Sequence, residues 1–159
     1  MNKKLVFSIV LLSFFLPENA AGQAVNQAIE MKIFTFSCHD KEEMISLPSC
    51  FSGPTVLPYE SGYIINFVSE DTTSTPDSFG DYCIISILCG KNARLSLDKS
   101  YLPIKTENEK GVFYYSQTMN KYARRTYFEK YLIMYEQASA EKKEILDEII
   151  DALKDTENK

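Results

Sequence analysis

Cys38, His39 and Asp40 stand side by side, and with Cys50, Cys83 and Cys89 they are the residues of this chain whose types could do chemistry. A thiol beside an imidazole can serve as a nucleophile with its base, and cysteines with a histidine can hold zinc. The spacing favours neither. Neighbours in sequence seldom point their side chains at one another, and His39 is the only histidine. Cys38, His39 and Cys50 also lack the paired short spacings of a structural zinc site. The acids Glu70, Asp71, Asp77 and Asp81 flank a polar loop but do not follow the alternating pattern of a calcium loop. There is no Gly-x-Ser-x-Gly, phosphate-binding loop, dinucleotide fingerprint or zinc-protease helix. No residue is therefore assigned to catalysis, to a cofactor or to a metal.

The fate of the cysteines depends on the compartment, and Met1 to Ala24 reads as an address. Asn2-Lys3-Lys4 gives a basic start and Leu5 to Leu16 a mainly apolar run. Pro17 and the small residues of Asn19 to Ala24 give a cleavage region. The apolar run is shorter than the roughly 20 residues that span a bilayer. The expectation is a signal peptide over residues 1–24, cleaved after Ala24 with Gly22 and Ala21 as rival sites, and a mature domain over 25–159 that is periplasmic or secreted and has no stable membrane anchor. Losing Lys3, Lys4 and Glu18 leaves that domain with 15 basic and 21 acidic side chains, a formal charge of −6. Such an acidic balance argues against nucleic acid, whose phosphates need clustered Lys and Arg.

In an oxidising compartment the four cysteines, an even number, read as two disulfides. Tyr82 to Cys89 is rich in apolar and β-branched residues and ends at Gly90, which predicts a buried strand. Six steps along a strand put Cys83 and Cys89 roughly 20 Å apart, against about 7 Å for the Cα atoms of a disulfide. The preferred pairing is therefore crossed, with Cys83 and Cys89 each reaching into the Cys38 to Cys50 segment. Local pairing, Cys38 with Cys50 and Cys83 with Cys89, is the alternative.

Alternation predicts further strands over Ala28 to Ser37 and Gly62 to Val68, with weaker ones at Arg94 to Leu97, Tyr101 to Ile104 and Val112 to Tyr115. His39 to Leu47 reads as a short helix capped by Asp40 and stopped by Pro48. Pro54 and Pro58 read as breaks, Glu70 to Gly80 as an exposed loop and Glu107 to Gly111 as a polar turn. From Val112 onward the chain has neither Gly nor Pro. At helical spacing Tyr127, Phe128, Tyr131, Leu132, Met134, Tyr135 and Ala138 cover one face, and Ile145, Leu146, Ile149, Ile150 and Leu153 form a second stripe. One rod from Thr118 to Asp155 would be about 57 Å long, well beyond the roughly 37 Å expected for the whole domain. A break near Ala138 to Ala140, with Ser139 as cap, is expected instead. The fold class is thus α+β: a small disulfide-stabilised domain with a mainly antiparallel sheet of about four to five strands, then a C-terminal helical hairpin. One long C-terminal helix is the alternative.

Six of the ten tyrosines fall between Tyr114 and Tyr135. Arg124, Tyr127, Phe128, Tyr131 and Tyr135 share a face on a helical projection and form the candidate interaction surface. Glu144, Asp147, Glu148, Asp151 and Asp155 lie opposite the last apolar stripe and read as its solvated side. The functional expectation is an exported protein that acts by protein–protein contact, such as a periplasmic inhibitor or immunity protein against a toxin or cell-wall hydrolase. An accessory subunit of an envelope assembly or secretion apparatus, with self-association through the C-terminal helix, is the second reading. A secreted hydrolase using scattered carboxylates is the third.

Overall fold

The computed structural model describes residues 29–59, 62–70, 82–90, 95–107 and 111–157. The signal-peptide reading, the loop acids Asp71, Asp77 and Asp81 and the middle of the turn at 107–111 lie outside them. Residues from Met31 onward form one unit; of the unit before it only Ile29 and Glu30 are described, both exposed.

The elements run β1 (Met31–Cys38), β2 (Lys41–Pro48), β3 (Phe51–Tyr59), β4 (Gly62–Glu70), β5 (Tyr82–Cys89), β6 (Leu102–Glu107), β7 (Gly111–Ser116), β8 (Lys121–Tyr127), β9 (Tyr131–Ala138) and α1 (Ala140–Glu157). Among the described residues β1 and β2 pair only with each other, while the remaining strands form one seven-stranded antiparallel sheet in the order β3-β4-β5-β9-β8-β7-β6. The sheet is two meanders joined where β9 lies against β5. The fold is α+β with a mainly antiparallel sheet, one C-terminal helix and one disulfide.

The sheet has seven strands where about four to five are expected, because the sequence reads as breaks or helix over β3, β8 and β9. Three further expectations are corrected. The short helix at His39 to Leu47 is instead the turn and second strand of a hairpin. His39 and Asp40 take φ values of 52° and 61°, the paired positive dihedrals of a tight two-residue turn. Ile45 and Leu47 then point inward while Met44 and Ser46 point out, a period of two. Pro54 and Pro58 do not break the chain but sit within the edge strand β3, whose register shifts between Ser52 and Thr55. Pro103 and a register shift mark the opposite edge, β6. Prolines and bulges on edge strands blunt the row of free backbone groups against pairing with other chains.

The largest correction concerns the C-terminal hairpin, which is β8 and β9 followed by a single helix of 18 residues. Leu132 and Met134 are buried on one face of β9, Ile133 and Tyr135 on the other. A strand covered on both sides reads as a continuous apolar run, and its periodicity cannot separate strand from helix. The predicted break does fall in place. Ser139 Oγ accepts the Lys142 N–H at 3.2 Å and the Ser139 carbonyl accepts the Lys143 N–H at 2.9 Å, which caps α1.

One face of the sheet carries the core. Ile65 and Phe67 of β4, Cys83, Ile85, Ile87 and Cys89 of β5 and Ile133 and Tyr135 of β9 stand in cross-strand rows. Phe34, Phe36, Ile45 and Leu47 of the hairpin and Leu146 and Ile150 of α1 close over them. Cys38 of the hairpin is bonded to Cys89 with 5.6 Å between Cα atoms. This bridge belongs to the crossed pairing. Gly62 opens β4 against the backbone of β5, and a Cβ there would collide with the Cys89 carbonyl.

Candidate interaction surface

Arg124 of β8 is fully buried, and the helix supplies its partners. One terminal nitrogen donates to Asp147 at 3.3 Å and to the Asp147 carbonyl at 3.2 Å, and the other to Asp151 at 2.6 Å. The Tyr135 hydroxyl donates to the same Asp147 oxygen at 2.8 Å, and Lys143 Nζ to its other oxygen at 2.7 Å. The guanidinium lies over the Phe113 ring, 4.6 Å from its centroid. Lys143, Asp147 and Asp151 recur every four residues along one flank of α1, beside Leu146 and Ile150, so the polar ridge and the apolar stripe reach the sheet together. Burial, reinforced by the Asp147 charge, pushes the Tyr135 hydroxyl far above the ordinary tyrosine range and keeps it a donor. The cluster latches helix to sheet, with Arg124 fully buried and Asp151 and Lys143 partly exposed at its rim.

The five residues of the expected surface do not lie together. Arg124 and Tyr135 meet in that latch. Phe128 is buried and stacks on the half-buried Tyr131, with ring centroids 5.0 Å apart, while Tyr127 is 54% exposed. On a strand Arg124 and Tyr127 point to opposite faces, whereas the helical projection put them on one. Of the acids read as solvated, Glu144, Glu148 and Asp155 are exposed, but Asp147 and Asp151 carry the latch. Cys38 has no thiol to act as nucleophile, and His39 Nε2 is 3.1 Å from the Lys130 carbonyl, at the turn between β8 and β9. Among the described residues no three ligand-type side chains gather as a metal site would need.

The other side of the sheet holds a second polar group. Gln137, at φ 61°, is the extra residue of a bulge in β9, and its N–H donates to the Tyr101 hydroxyl at 2.9 Å. Its side-chain amide donates to the Tyr82 hydroxyl at 2.7 Å. Burial pushes Tyr101 up to about 12. Glu136, next along the strand, is raised above its ordinary value of 4.5 by burial and by the Asp98 charge. A carboxyl raised in the fold contributes stability that is fully present below 4.5 and is lost as pH rises through the folded value. Glu136→Gln is therefore expected to raise the urea midpoint at about pH 7, with the gain closing by about pH 4. A variant no more stable than the parent at neutral pH would contradict the burial.

Exposed apolar side chains lie elsewhere, on the edge strands at Val56 and Leu57 of β3 and Leu102 and Ile104 of β6, and as a row on the outer face of the β1–β2 hairpin. Met31, Ile33 and Met44 are 37%, 59% and 64% exposed. Ile33 faces Ser46 and Met44 faces Thr35, so Ile33 and Met44 are diagonal neighbours with uncharged partners. Sequence reasoning missed this row because Met44 was placed on a helix; the alternation of Met44 and Ser46 with Ile45 and Leu47 was the available signal. Geometry thus defines a disulfide-bonded antiparallel scaffold with a latched helix and an apolar outer hairpin face. No family model, curated protein or solved structure matches this chain.

Proposed function

We propose that the chain is an exported binding protein acting by protein–protein contact, as an inhibitor or immunity protein that occludes a toxin or cell-wall hydrolase. The observation that carries this reading is the row of Met31, Ile33 and Met44. Contiguous apolar side chains left in water on an ordered surface are what a protein interface covers. Disulfide bonding supports an oxidising compartment, and no described helix is long and apolar enough to cross a membrane. The expected formal charge of −6 favours a partner whose apolar pocket has a basic rim.

The test begins with envelope extract passed over the immobilised protein. The expected result is a stoichiometric complex with a hydrolase or toxin whose activity falls to background on binding. Ile33→Asp with Met44→Asp should weaken that inhibition about 100-fold with unchanged circular dichroism. Equal inhibition by the double variant would remove the hairpin from the interface. Turnover of cell-wall substrate by the purified protein, lost with a single carboxylate change, would defeat the binding reading itself.

A further inference from the structure

Two cysteines remain outside the Cys38–Cys89 bridge, Cys50 in the exposed turn before β3 and Cys83 buried in β5. Their placement follows from how the hairpin lies on the sheet. Cys38 is held to Cys89, and beside it the Tyr63 hydroxyl, on the residue facing Cys89, donates to the Ser37 carbonyl at 2.7 Å. Four residues back along β1, Phe34 packs edge-on against Phe67 at 5.2 Å, and Phe67 faces Ile85, four residues back along β5. Hairpin and strand therefore run in step. Cys83 and Cys89 share one face of β5 and lie about 20 Å apart. β2 covers a similar length from its pairing with Cys38 to Pro48, and the chain then turns at Ser49 and Cys50 into β3.

At that end the register brings the start of β3 to the level of Cys83. Phe51, the residue after Cys50, faces Ser69, and Ser69 faces Cys83, so Phe51 lies only two strand spacings, about 10 Å, from Cys83. We infer that Cys50 and Cys83 form a second disulfide, nested inside the first, so that the hairpin and the start of the edge strand are bonded to both ends of β5. Closure moves the exposed Ser49–Cys50 turn inward until the Cα atoms come within the roughly 7 Å a disulfide allows, while Cys83 stays in its strand.

The chemistry is a two-step exchange with a small disulfide oxidant. The exposed Cys50 thiolate attacks that disulfide, forming a mixed disulfide and expelling one thiolate. Cys83 then loses its proton and attacks the Cys50 sulfur, expelling the second thiolate. Two cysteine thiols are oxidised and one disulfide is reduced to two thiols. Burial sets the order, because it pushes the Cys83 thiol up to about 12, whereas Cys50 is open to solvent. The Lys142 ammonium, which donates to Ser69 Oγ at 3.2 Å, favours the Cys83 thiolate when it forms.

The test refolds the full chain with reduced and oxidised glutathione. The product is denatured without reductant and treated with iodoacetamide. No alkylated cysteine and a Cys50–Cys83 linked peptide are expected. Labels on both Cys50 and Cys83, glutathione retained on Cys50, or a link from Cys83 to any other cysteine would overturn the pairing. In Cys50→Ser, one label at Cys83 and a Tm lower by about 10 °C are expected. A Cys50→Ser protein that takes no label would show that Cys83 pairs elsewhere.

Discussion

Arg124→Ala is expected to lower the free energy of unfolding by about 3 to 5 kcal/mol. The guanidinium is fully buried, and its removal strips Asp147 and Asp151 of their shared cation while leaving both carboxylates at the helix–sheet contact. The two acids are not equivalent. The Asp147 side chain is 15% exposed and also accepts from Tyr135 and Lys143, whereas Asp151 is 34% exposed. Water can take over part of the role of Arg124 at Asp151. Asp147→Asn should therefore cost more than Asp151→Asn. Arg124→Met combined with Asp147→Leu should cost less than the two single changes added together, because the two most buried charges leave together and only the partly exposed Asp151 and Lys143 lose a partner. Urea unfolding of the set checks the whole pattern. A loss below about 1 kcal/mol for Arg124→Ala, the scale of a surface ion pair, would show that the latch is open to solvent.

Cys38→Ala with Cys89→Ala is expected to cost about 4 kcal/mol, the chain-entropy value for a loop of this size. The two residues are separated by 51 positions, and the substitution acts chiefly by freeing the unfolded chain. Both sulfurs are buried, so the double variant is a cleaner test than added reductant. The effect should also be local. Among the described residues the β1–β2 hairpin shares no backbone ladder with the seven-stranded sheet and is held by its inner apolar face and by this bridge. An isolated hairpin is marginal in water. Hydrogen exchange is expected to quicken across β1 and β2 before β8 and β9 lose protection. A uniform change over all strands would mean that the hairpin and sheet unfold as one unit with or without the bridge.

Several elements were legible in the chain because their patterns were local. The Cys83 to Cys89 strand announced itself by its β-branched run, and its length directed Cys89 away from Cys83 and into the Cys38 to Cys50 segment, where the fold pairs it with Cys38. Ser139 was legible as a cap because a helix start needs an acceptor at that position whatever lies around it. The stripe of Leu146, Ile149, Ile150 and Leu153 was legible for the same reason, since one face of α1 is apolar and the other is not.

The residues from Lys121 to Ala138 were not legible as strands. Their helix-forming composition and two-sided burial hid the period of two, and only the pairing of β9 between β5 and β8 resolves it. That choice also decides the candidate site. As a helix, this segment would have offered Arg124, Tyr127, Phe128, Tyr131 and Tyr135 to a partner; as strands, it turns Arg124, Phe128 and Tyr135 inward and leaves Tyr127 exposed.

The sequence by itself determined the α+β class, the β5 strand, the capped C-terminal helix and the separation that keeps Cys89 from Cys83. Each depends on residues close together in the chain or on a distance the backbone imposes. The choice of Cys38 over Cys50 as the partner of Cys89 came from the fold. Only the tertiary structure decided which charges are solvated and which apolar residues are left in water. Asp147 and Glu148 are neighbours of one type, yet one meets a buried guanidinium and the other meets solvent, because the position of β8 relative to α1 follows from strand order and not from spacing along the helix.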